Sequence, residues 1–377
     1  MRPGLIALLI VTWLRGVAVA GPPASETDSH DRNGAVTAPD KSPWIDLAPA
    51  SVLAGTPGDE DHDYRLASAL GLGGLYLGFS AWAYLAWYRN HPEKDHTQSV
   101  GDIAECLIHP SNVELSCDGF FGKHTYAGGA DKLGHAWATM VLARGGTQVL
   151  SAGGWDHKRS ALVSAALAEG LFFAVEMKDY YYYEFSPGDF TFNTLGALTA
   201  VAMELSPRLD QLFDFRVEYW PSKQYRYNLT NSDSPCAMRK PGQPSCSRWN
   251  IAEDYSGETY LTALHLGAIH GLHAWQYGGL WTELVDVVVG FESRNYKPPP
   301  TLIGGPMLDM PVERHQSLFF GVTFNAQGLV DHLLPRPSRL RKVGHGVLEV
   351  ITPPWTRIVP SHIDFERSTN SAAMDGA

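Results

Sequence analysis

The sequence predicts an α+β fold, in which a hydrophobic bundle of about four helices precedes a mostly antiparallel β region. Three observations support this prediction. Residues 131–205 form three apolar stretches whose few charged residues recur at helical spacing. The composition changes at Ser206–Pro207. Beyond that point the chain consists of segments that often alternate apolar with polar residues and are separated by irregular loops.

The bulk composition limits the class of protein. The chain has 377 residues, of which 44% are hydrophobic and 11% aromatic, and this is enough to build a sizeable core. Only 18% of the residues are charged, and the formal net charge is −11. An acidic chain without a basic run lacks the positive surface that binds phosphate backbones, so we predict no nucleic-acid partner.

The first 20 residues have the pattern of a secretory signal peptide. Arg2 precedes an apolar run over 5–14, and the small residues Ala18 and Ala20 predict cleavage after Ala20. Arg15 is irregular in such a segment, so an uncleaved anchor is the alternative. No cysteine stands directly after the predicted cleavage site, so we expect no lipid attachment point there.

The rest of the chain divides by composition. The residues after the signal segment are rich in Pro, Ser, Asp and Gly and show no periodicity, which indicates a flexible linker. The predicted parts are a signal peptide over 1–20, a disordered linker over 21–60, a hydrophobic helical bundle over 61–205, a β-rich region over 206–360 and a disordered tail over 361–377.

Four cysteines support export. Each of two local pairs closes a short loop, and such pairs in an exported chain are more often disulfides than metal ligands. We predict the bridges Cys106–Cys117 and Cys236–Cys246.

The stretch from Leu66 to Tyr88 contains 23 residues without a formal charge. This length is sufficient for a membrane span, but a buried first helix of the bundle would have the same composition. If the helix spanned the membrane, the positive residues after it would place the Cys106–Cys117 loop in the cytoplasm, where a disulfide is disfavoured. We therefore expect a helix that lies in or against the membrane, with the protein on the exported side.

The β region contains five candidate strand segments and one short helix. The segments begin at Val217, Glu258, Leu280, His315 and Gly346, and the helix covers Gln327 to Leu334. The segment from His315 predicts a sheet with one solvent-exposed face, because two sets of residues alternate along it. One set is Ser317, Phe319, Gly321 and Thr323, and the other is Leu318, Phe320, Val322 and Phe324. His265, His270 and His273 follow neither strand nor helix periodicity, so we interpret them as scattered histidines and not as a metal site.

The charged residues of the bundle fall on single faces of its three helices. Separations of three, four or seven residues place side chains on one helical face. The faces carry Asp131, Lys132 and His135 on the first helix, Glu169, Glu176 and Asp179 on the second, and Asp189 and Asn193 at the start of the third. We expect these groups to converge in one polar cluster.

Several of these residues also have a structural interpretation. Ser186-Pro187-Gly188-Asp189 fits a helix N-cap, and Asp131 could serve as another, with Lys132 in solvent. Gly196 fits a close approach of two helices. A buried carboxylate needs a partner, so His135 and the acids could form a satisfied polar core.

The ordered motifs of this region carry a family resemblance. The pattern D-K-x-x-H, an acidic pair, and F-S-x-x-D-x-x-x-N-x-x-G resembles the YfiM-like predicted envelope lipoproteins and, more distantly, the VanZ-like membrane proteins. It occurs here as Asp131, Lys132, His135, Glu176, Asp179, Phe185, Ser186, Asp189, Asn193 and Gly196. The resemblance covers residues 120–205, and residues 254–260 and 314–325 look like the strand region of longer members. It implies an envelope location and no particular reaction.

We therefore predict an exported, membrane-associated envelope protein whose bundle engages membrane lipid or an envelope protein. The alternative is a hydrolase or transferase that acts on a lipid-linked envelope substrate through His135, Glu176, Asp179 and Asp189, with His135 as general acid or base or with the cluster holding one metal ion. We predict no cofactor and assign no metal ligand.

Overall fold

The computed structural model describes residues 64–88, 99–109, 117–121, 125–182, 184–223, 225–226, 251–269, 279–296, 312–334 and 338–370. The predicted signal peptide, the whole predicted linker, the Cys236–Cys246 pair, His270 and His273 lie outside these residues. The described part is an α+β fold in which a helical bundle precedes a sheet, as predicted.

The described residues form nine α-helices. They are α1 (Arg65–Ala83), α2 (Val100–Ile108), α3 (Ala130–Ala152), α4 (His157–Tyr182), α5 (Pro187–Leu205), α6 (Pro207–Leu212), α7 (Gly279–Leu284), α8 (Ala326–Leu333) and α9 (Arg339–Leu348). The predicted helix over 327–334 is confirmed as α8.

Within the described part of the chain, six strands form one sheet in the order β5-β1-β2-β3-β4-β6, and only the β1–β5 pair is parallel. The strands are β1 (Phe213–Tyr219), β2 (Glu258–His265), β3 (Val285–Arg294), β4 (Val312–Phe324), β5 (Ile351–Thr352) and β6 (Arg357–Asn370). The mostly antiparallel sheet is confirmed.

Several predicted boundaries in the β region were wrong. The segment from Leu280 begins as helix α7, and the segment from Gly346 continues helix α9 before the two residues of β5. The predicted disordered tail begins within a strand, because residues 361–370 belong to β6 and pair with β4. Backbone pairing with a long neighbouring strand orders this segment, which its polar composition did not indicate.

The two faces of β4 are also the reverse of a simple polar-out arrangement. Ser317 and Thr323 are buried, whereas the Phe320 side chain is 52% exposed and Phe324 is exposed as well. The buried face also carries Phe319, which belongs to a core cluster, and the Thr323 hydroxyl is hydrogen-bonded to the loop that leads into β6. Alternation predicted the two faces of the strand but not which of them lies inside.

Small residues allow the bundle helices to pack closely. Ala143 of α3, Ala168 of α4 and Ala200 of α5 are almost completely buried in one core cluster. A Cβ atom at Gly196 would overlap the carbonyl oxygen of Ala136, so this glycine brings α5 against the α3 backbone, as expected. The same helix α3 then packs on the sheet, where Ala130 joins a buried cluster with sheet residues.

Helix α1 begins beside the turn between α3 and α4 and ends beside the last turn of α4. At its start, Arg65 Nε donates to the Gly154 carbonyl at 3.0 Å. In the turn that follows α1, Tyr88 OH donates to Asp179 Oδ1 at 2.7 Å. The two helices therefore run in parallel, and most of α1 is exposed. This exposure excludes the alternative of a buried first helix.

Among the described residues, helices α1 and α4 are long enough and apolar enough to cross a membrane. This statement rests on length and composition only. The buried share is 11% for the apolar window of α1 and 44% for that of α4. The predicted disulfide Cys106–Cys117 is present and joins α2, which contains Cys106, to the segment that begins at Cys117.

Candidate functional site

The three bundle helices converge where α3 and α5 begin and where the second half of α4 passes between them. The chain enters α3 through Gly128 and Gly129, whose φ values of 62° and 83° favour glycine. It enters α5 through Ser186, whose side chain accepts a hydrogen bond from the Asp189 N–H, with Pro187 in the first turn. The predicted N-cap is confirmed.

A buried lysine is the centre of the first half of the cluster. The Lys132 side chain is 0% exposed, so the alternative of a solvated lysine was wrong. Its Nζ lies 2.9 Å from Asp131 Oδ2 and 2.7 Å from Asp189 Oδ1, and it also contacts Asp118 Oδ2. Ser186 Oγ is 3.4 Å away. Lys132 thus links the first turns of two helices to the segment after the disulfide.

His135 and Glu176 form the second half of the cluster with an asparagine between them. His135 Nδ1 lies 3.0 Å from Asn193 Oδ1 and 3.6 Å from Glu176 Oε1. Asn193 Nδ2 donates to Glu176 Oε1 at 3.4 Å, and Thr139 donates to Asn193 Oδ1 at 3.1 Å. The predicted convergence of an imidazole and a carboxylate from separate helices is present in the structure.

The two outer acids of α4 lie at the margins of the cluster. Asp179 accepts the hydrogen bond from Tyr88, and Glu169 accepts one from Thr194 Oγ1 at 2.9 Å. Glu176 lies between them along the helix and brings its carboxylate to the His135 ring. The catalytic role considered for Asp179 stays a prediction.

Burial controls the electrostatics of Glu176. Burial raises the pKa of its carboxyl well above the usual value, and the negative charges of Asp189 and Asp179 raise it further. Oε2 of this fully buried side chain has no hydrogen-bond partner among the described residues. A buried carboxylate in this position needs either a proton or a cation.

Opposing effects set the pKa values around Lys132. Burial raises the pKa of Asp118 to about 6 and that of Asp131 well above its usual range, although Lys132 lowers both. Burial alone would raise the pKa of Asp189, but the charges of Lys132 and His135 outweigh this effect and lower the pKa. Burial would lower the pKa of Lys132, and the three carboxylates raise it instead. Lys132 is therefore charged at neutral pH, and Asp189 is its most strongly ionised partner.

The cluster reaches the surface at only part of its edge. The side chains of Lys132 and Glu176 are fully buried, whereas His135 is 18% exposed and Asp118 is 23% exposed. Phe172 packs against the His135 ring with centroids 5.6 Å apart. Among the described residues, the cluster is therefore open to solvent at His135 and at Asp118.

Two sets of three residues could each hold a metal ion. Within each set, one ligand-type atom from every residue lies within 4.8 Å of the other two. The sets are His135, Glu176 and Asp189, and Asp118, Asp131 and Asp189. Asp189 belongs to both sets and connects the two halves of the cluster.

Two members of the cluster were not found from the sequence. Asp118 belongs to a loop segment, and its only signal is its position directly after Cys117, whose disulfide fixes it. Thr139 lies four residues after His135 and thus on the same helical face, so helical spacing could have identified it.

A second buried polar cluster lies in the sheet and includes one of the histidines that we interpreted as scattered. His265 Nδ1 lies 2.9 Å from Asp286 Oδ1, and its Nε2 lies 3.0 Å from Asp214 Oδ2. Arg216 contacts both acids. The two carboxylates raise the pKa of His265 to about 10 against the effect of burial. Two cations balance two acids here, which is typical of a structural network.

Comparison with known proteins gives one match. Residues 117–205 match the model of a family described as "Predicted periplasmic lipoprotein (DUF2279)". The matched residues contain α3 to α5 and hence the whole cluster from Asp118 to Asn193. No curated protein matched the chain, and no solved structure matched it. The match supports a periplasmic lipoprotein-like family and an exported, periplasmic or envelope location, and the narrower YfiM-like and VanZ-like resemblance stays a prediction.

Proposed function

We propose that this protein is an exported envelope protein that associates with a membrane by placing the outer face of α1 and α4 against lipid acyl chains. The observation that carries the proposal is an exposed apolar face on each of these two parallel helices. Its exposed side chains on α4 are Leu162, Val163, Leu167, Phe173, Met177 and Tyr181. Those on α1 and the turn after it are Leu66, Leu70, Leu77, Tyr84 and Leu85.

The ionisable residues of α4 lie away from this face or at its ends. Glu169 and Glu176 point into the bundle, and the exposed residues between Leu162 and Tyr181 carry no charge. With a rise of about 1.5 Å per residue, this uncharged face is about 28 Å long. A patch of this size on a soluble monomer is unusual and typical of a lipid or protein contact.

The two ends of the face differ in chemistry. Arg65, Lys158 and Arg159 are exposed at the end where both helices begin. Tyr84 and Tyr181 are exposed at the other end. Basic residues attract anionic lipid headgroups, and tyrosines prefer the interface between acyl chains and water. This distribution favours lipid over a protein partner.

Vesicle binding tests the proposal. The purified full chain should float with vesicles of phosphatidylglycerol and phosphatidylethanolamine. The double variant Leu70→Gln/Leu77→Gln removes two α1 side chains that are 68% and 73% exposed, and it should bind at least about tenfold more weakly.

The matched control is Leu333→Gln/Leu340→Gln, at two leucines of α8 and α9 that are 66% and 67% exposed. It should bind vesicles as the unchanged chain does, and all three proteins should have the same circular dichroism spectrum. Equal binding by both double variants, or no binding by the unchanged chain, would contradict the proposal.

A second candidate function is hydrolase or transferase chemistry on a lipid-linked envelope substrate. The partial exposure of His135, which contacts Phe172 at the edge of a buried acid cluster, favours it. His135 would act as the general acid or base, oriented by Glu176. His135→Ala should then fail to restore the phenotype of a cell that lacks the gene, and it should do so without lowering the melting temperature of the protein. A lowered melting temperature with the phenotype retained would indicate a structural histidine.

A further inference from the structure

We propose that His135, Glu176 and Asp189 bind one divalent metal ion of the borderline class, with Zn²⁺ as the reference ion. One ligand-type atom from each of these residues lies within 4.8 Å of the other two. Ligands bound at about 2.0–2.2 Å lie up to about 4.4 Å apart across an ion, so small side-chain adjustments would bring all three into contact with it. The inference holds whether or not the bundle contacts lipid.

The buried and unpaired oxygen of Glu176 is a second and independent observation. Its side chain is 0% exposed, and Oε2 has no hydrogen-bond partner within the described residues. The other oxygen, Oε1, lies 3.6 Å from His135 Nδ1. A buried carboxylate with an unused oxygen beside an imidazole nitrogen is costly in the absence of a ligand, and a cation removes this cost.

The charges of the cluster also favour a cation on the His135 side. The cluster contains one ammonium group, that of Lys132, and four carboxylates, from Asp118, Asp131, Asp189 and Glu176. Lys132 Nζ already contacts the first three of these acids. A metal ion would therefore not enter that half of the cluster, where the ammonium takes the place of a cation. Asp189 can serve both halves because a carboxylate has two oxygens.

Neighbouring residues hold the ligands in place. Asn193 lies within hydrogen-bond distance of both His135 and Glu176, and Thr139 donates to Asn193 Oδ1. These side chains come from α3, α4 and α5, so rigid helices position every ligand. Supporting hydrogen bonds of this kind fix the orientation of metal ligands.

The donor set selects the class of ion. One imidazole nitrogen and two carboxylates suit Zn²⁺, Fe²⁺ or Mn²⁺ better than Ca²⁺, which prefers six or more oxygen ligands. Three protein ligands also leave a coordination position for water or substrate.

Metal retention tests the inference. The full chain is treated with chelator, loaded with Zn²⁺ and passed through a desalting column, and bound zinc is measured by mass spectrometry. The unchanged chain should retain one equivalent. Glu176→Gln and His135→Gln should each retain at least about tenfold less.

Two controls distinguish this site from zinc bound elsewhere. Glu169→Gln makes the same substitution on the same helix outside the set, and His362→Gln removes an exposed histidine of β6. Both should retain zinc as the unchanged chain does. Retention by Glu176→Gln and His135→Gln equal to that of the controls would overturn the inference.

A spectroscopic measurement keeps the test valid if a ligand variant does not fold. The unchanged chain loaded with Co²⁺ should show visible d–d absorption bands that added Zn²⁺ abolishes by competition. Absence of these bands, together with no retained zinc in the unchanged chain, would also overturn the inference.

Discussion

Lys132 Nζ lies 2.7 Å from Asp189 Oδ1, and this ion pair joins the first turn of α3 to the first turn of α5. The same ammonium group also contacts Asp118 and Asp131, so one buried cation compensates three carboxylates. The ion pair is therefore a structural requirement of the bundle as well as part of the candidate site.

The first prediction concerns this lysine. Lys132→Met keeps the volume of the side chain but leaves three carboxylates without their cation, so the free energy of unfolding should fall by about 3–5 kcal/mol. Urea denaturation followed by circular dichroism measures the change. The control Lys158→Met removes an exposed lysine at the start of α4 and should change stability by less than about 0.5 kcal/mol. Similar effects of the two variants would contradict the central role of Lys132.

The second prediction concerns the contact between α3 and α5. Gly196→Ala should lower the free energy of unfolding by about 1–3 kcal/mol, because the added methyl group overlaps the Ala136 carbonyl and forces the helices apart. Gly170→Ala is the matched control on α4, since a Cβ there meets nothing within 4 Å. It should stabilise the protein by about 0.5–1 kcal/mol through helix propensity. Thermal unfolding of both variants measures the difference, and a stabilising Gly196→Ala would exclude the close approach.

The bundle and much of its cluster could be predicted because helical spacing is a local property of the sequence. Positions three and four apart share a face, so the spacing of His135, Glu176 and Asn193 was sufficient to predict that these groups converge. Asp118 was missed because it lies in a loop, where no periodicity indicates the direction of a side chain.

The sheet was predicted less well, because its burial depends on which elements cover each face. Arg144 shows the difficulty: it pairs with Glu204 and Asp210 nearby in the bundle but also with Glu349, at 2.5 Å, after α9. No local sequence pattern links Arg144 to Glu349, because the two residues are far apart in the chain. The buried Thr323 of β4 has the same origin, since its hydroxyl donates to the Thr356 carbonyl 33 residues later.

The third prediction concerns the disulfide. Cys106 and Cys117 are 11 residues apart, and a bridge across such a loop contributes about 3 kcal/mol by restricting the unfolded chain. Cys106→Ser/Cys117→Ser should lower the free energy of unfolding by about that amount. It should also loosen Asp118, which would show as faster amide hydrogen exchange at Asp118 and its neighbours. Free thiols at both positions in the oxidised, unchanged chain, detected by alkylation and mass spectrometry, would contradict the bridge.

The fourth prediction is a pH dependence that originates in the sheet. The pKa of His265 is raised from 6.5 to about 10 by Asp214 and Asp286, so its charged form stabilises the folded state. This stabilisation is complete below pH 6.5 and is lost as the pH rises towards 10, with a maximum of about 5 kcal/mol. His265→Gln should remove this component, so the difference in urea stability between the unchanged chain and the variant should shrink steadily from pH 6.5 to pH 10. The exposed His362→Gln should leave the pH profile unchanged, and a constant difference for His265→Gln would show that His265 is not charged in the folded protein.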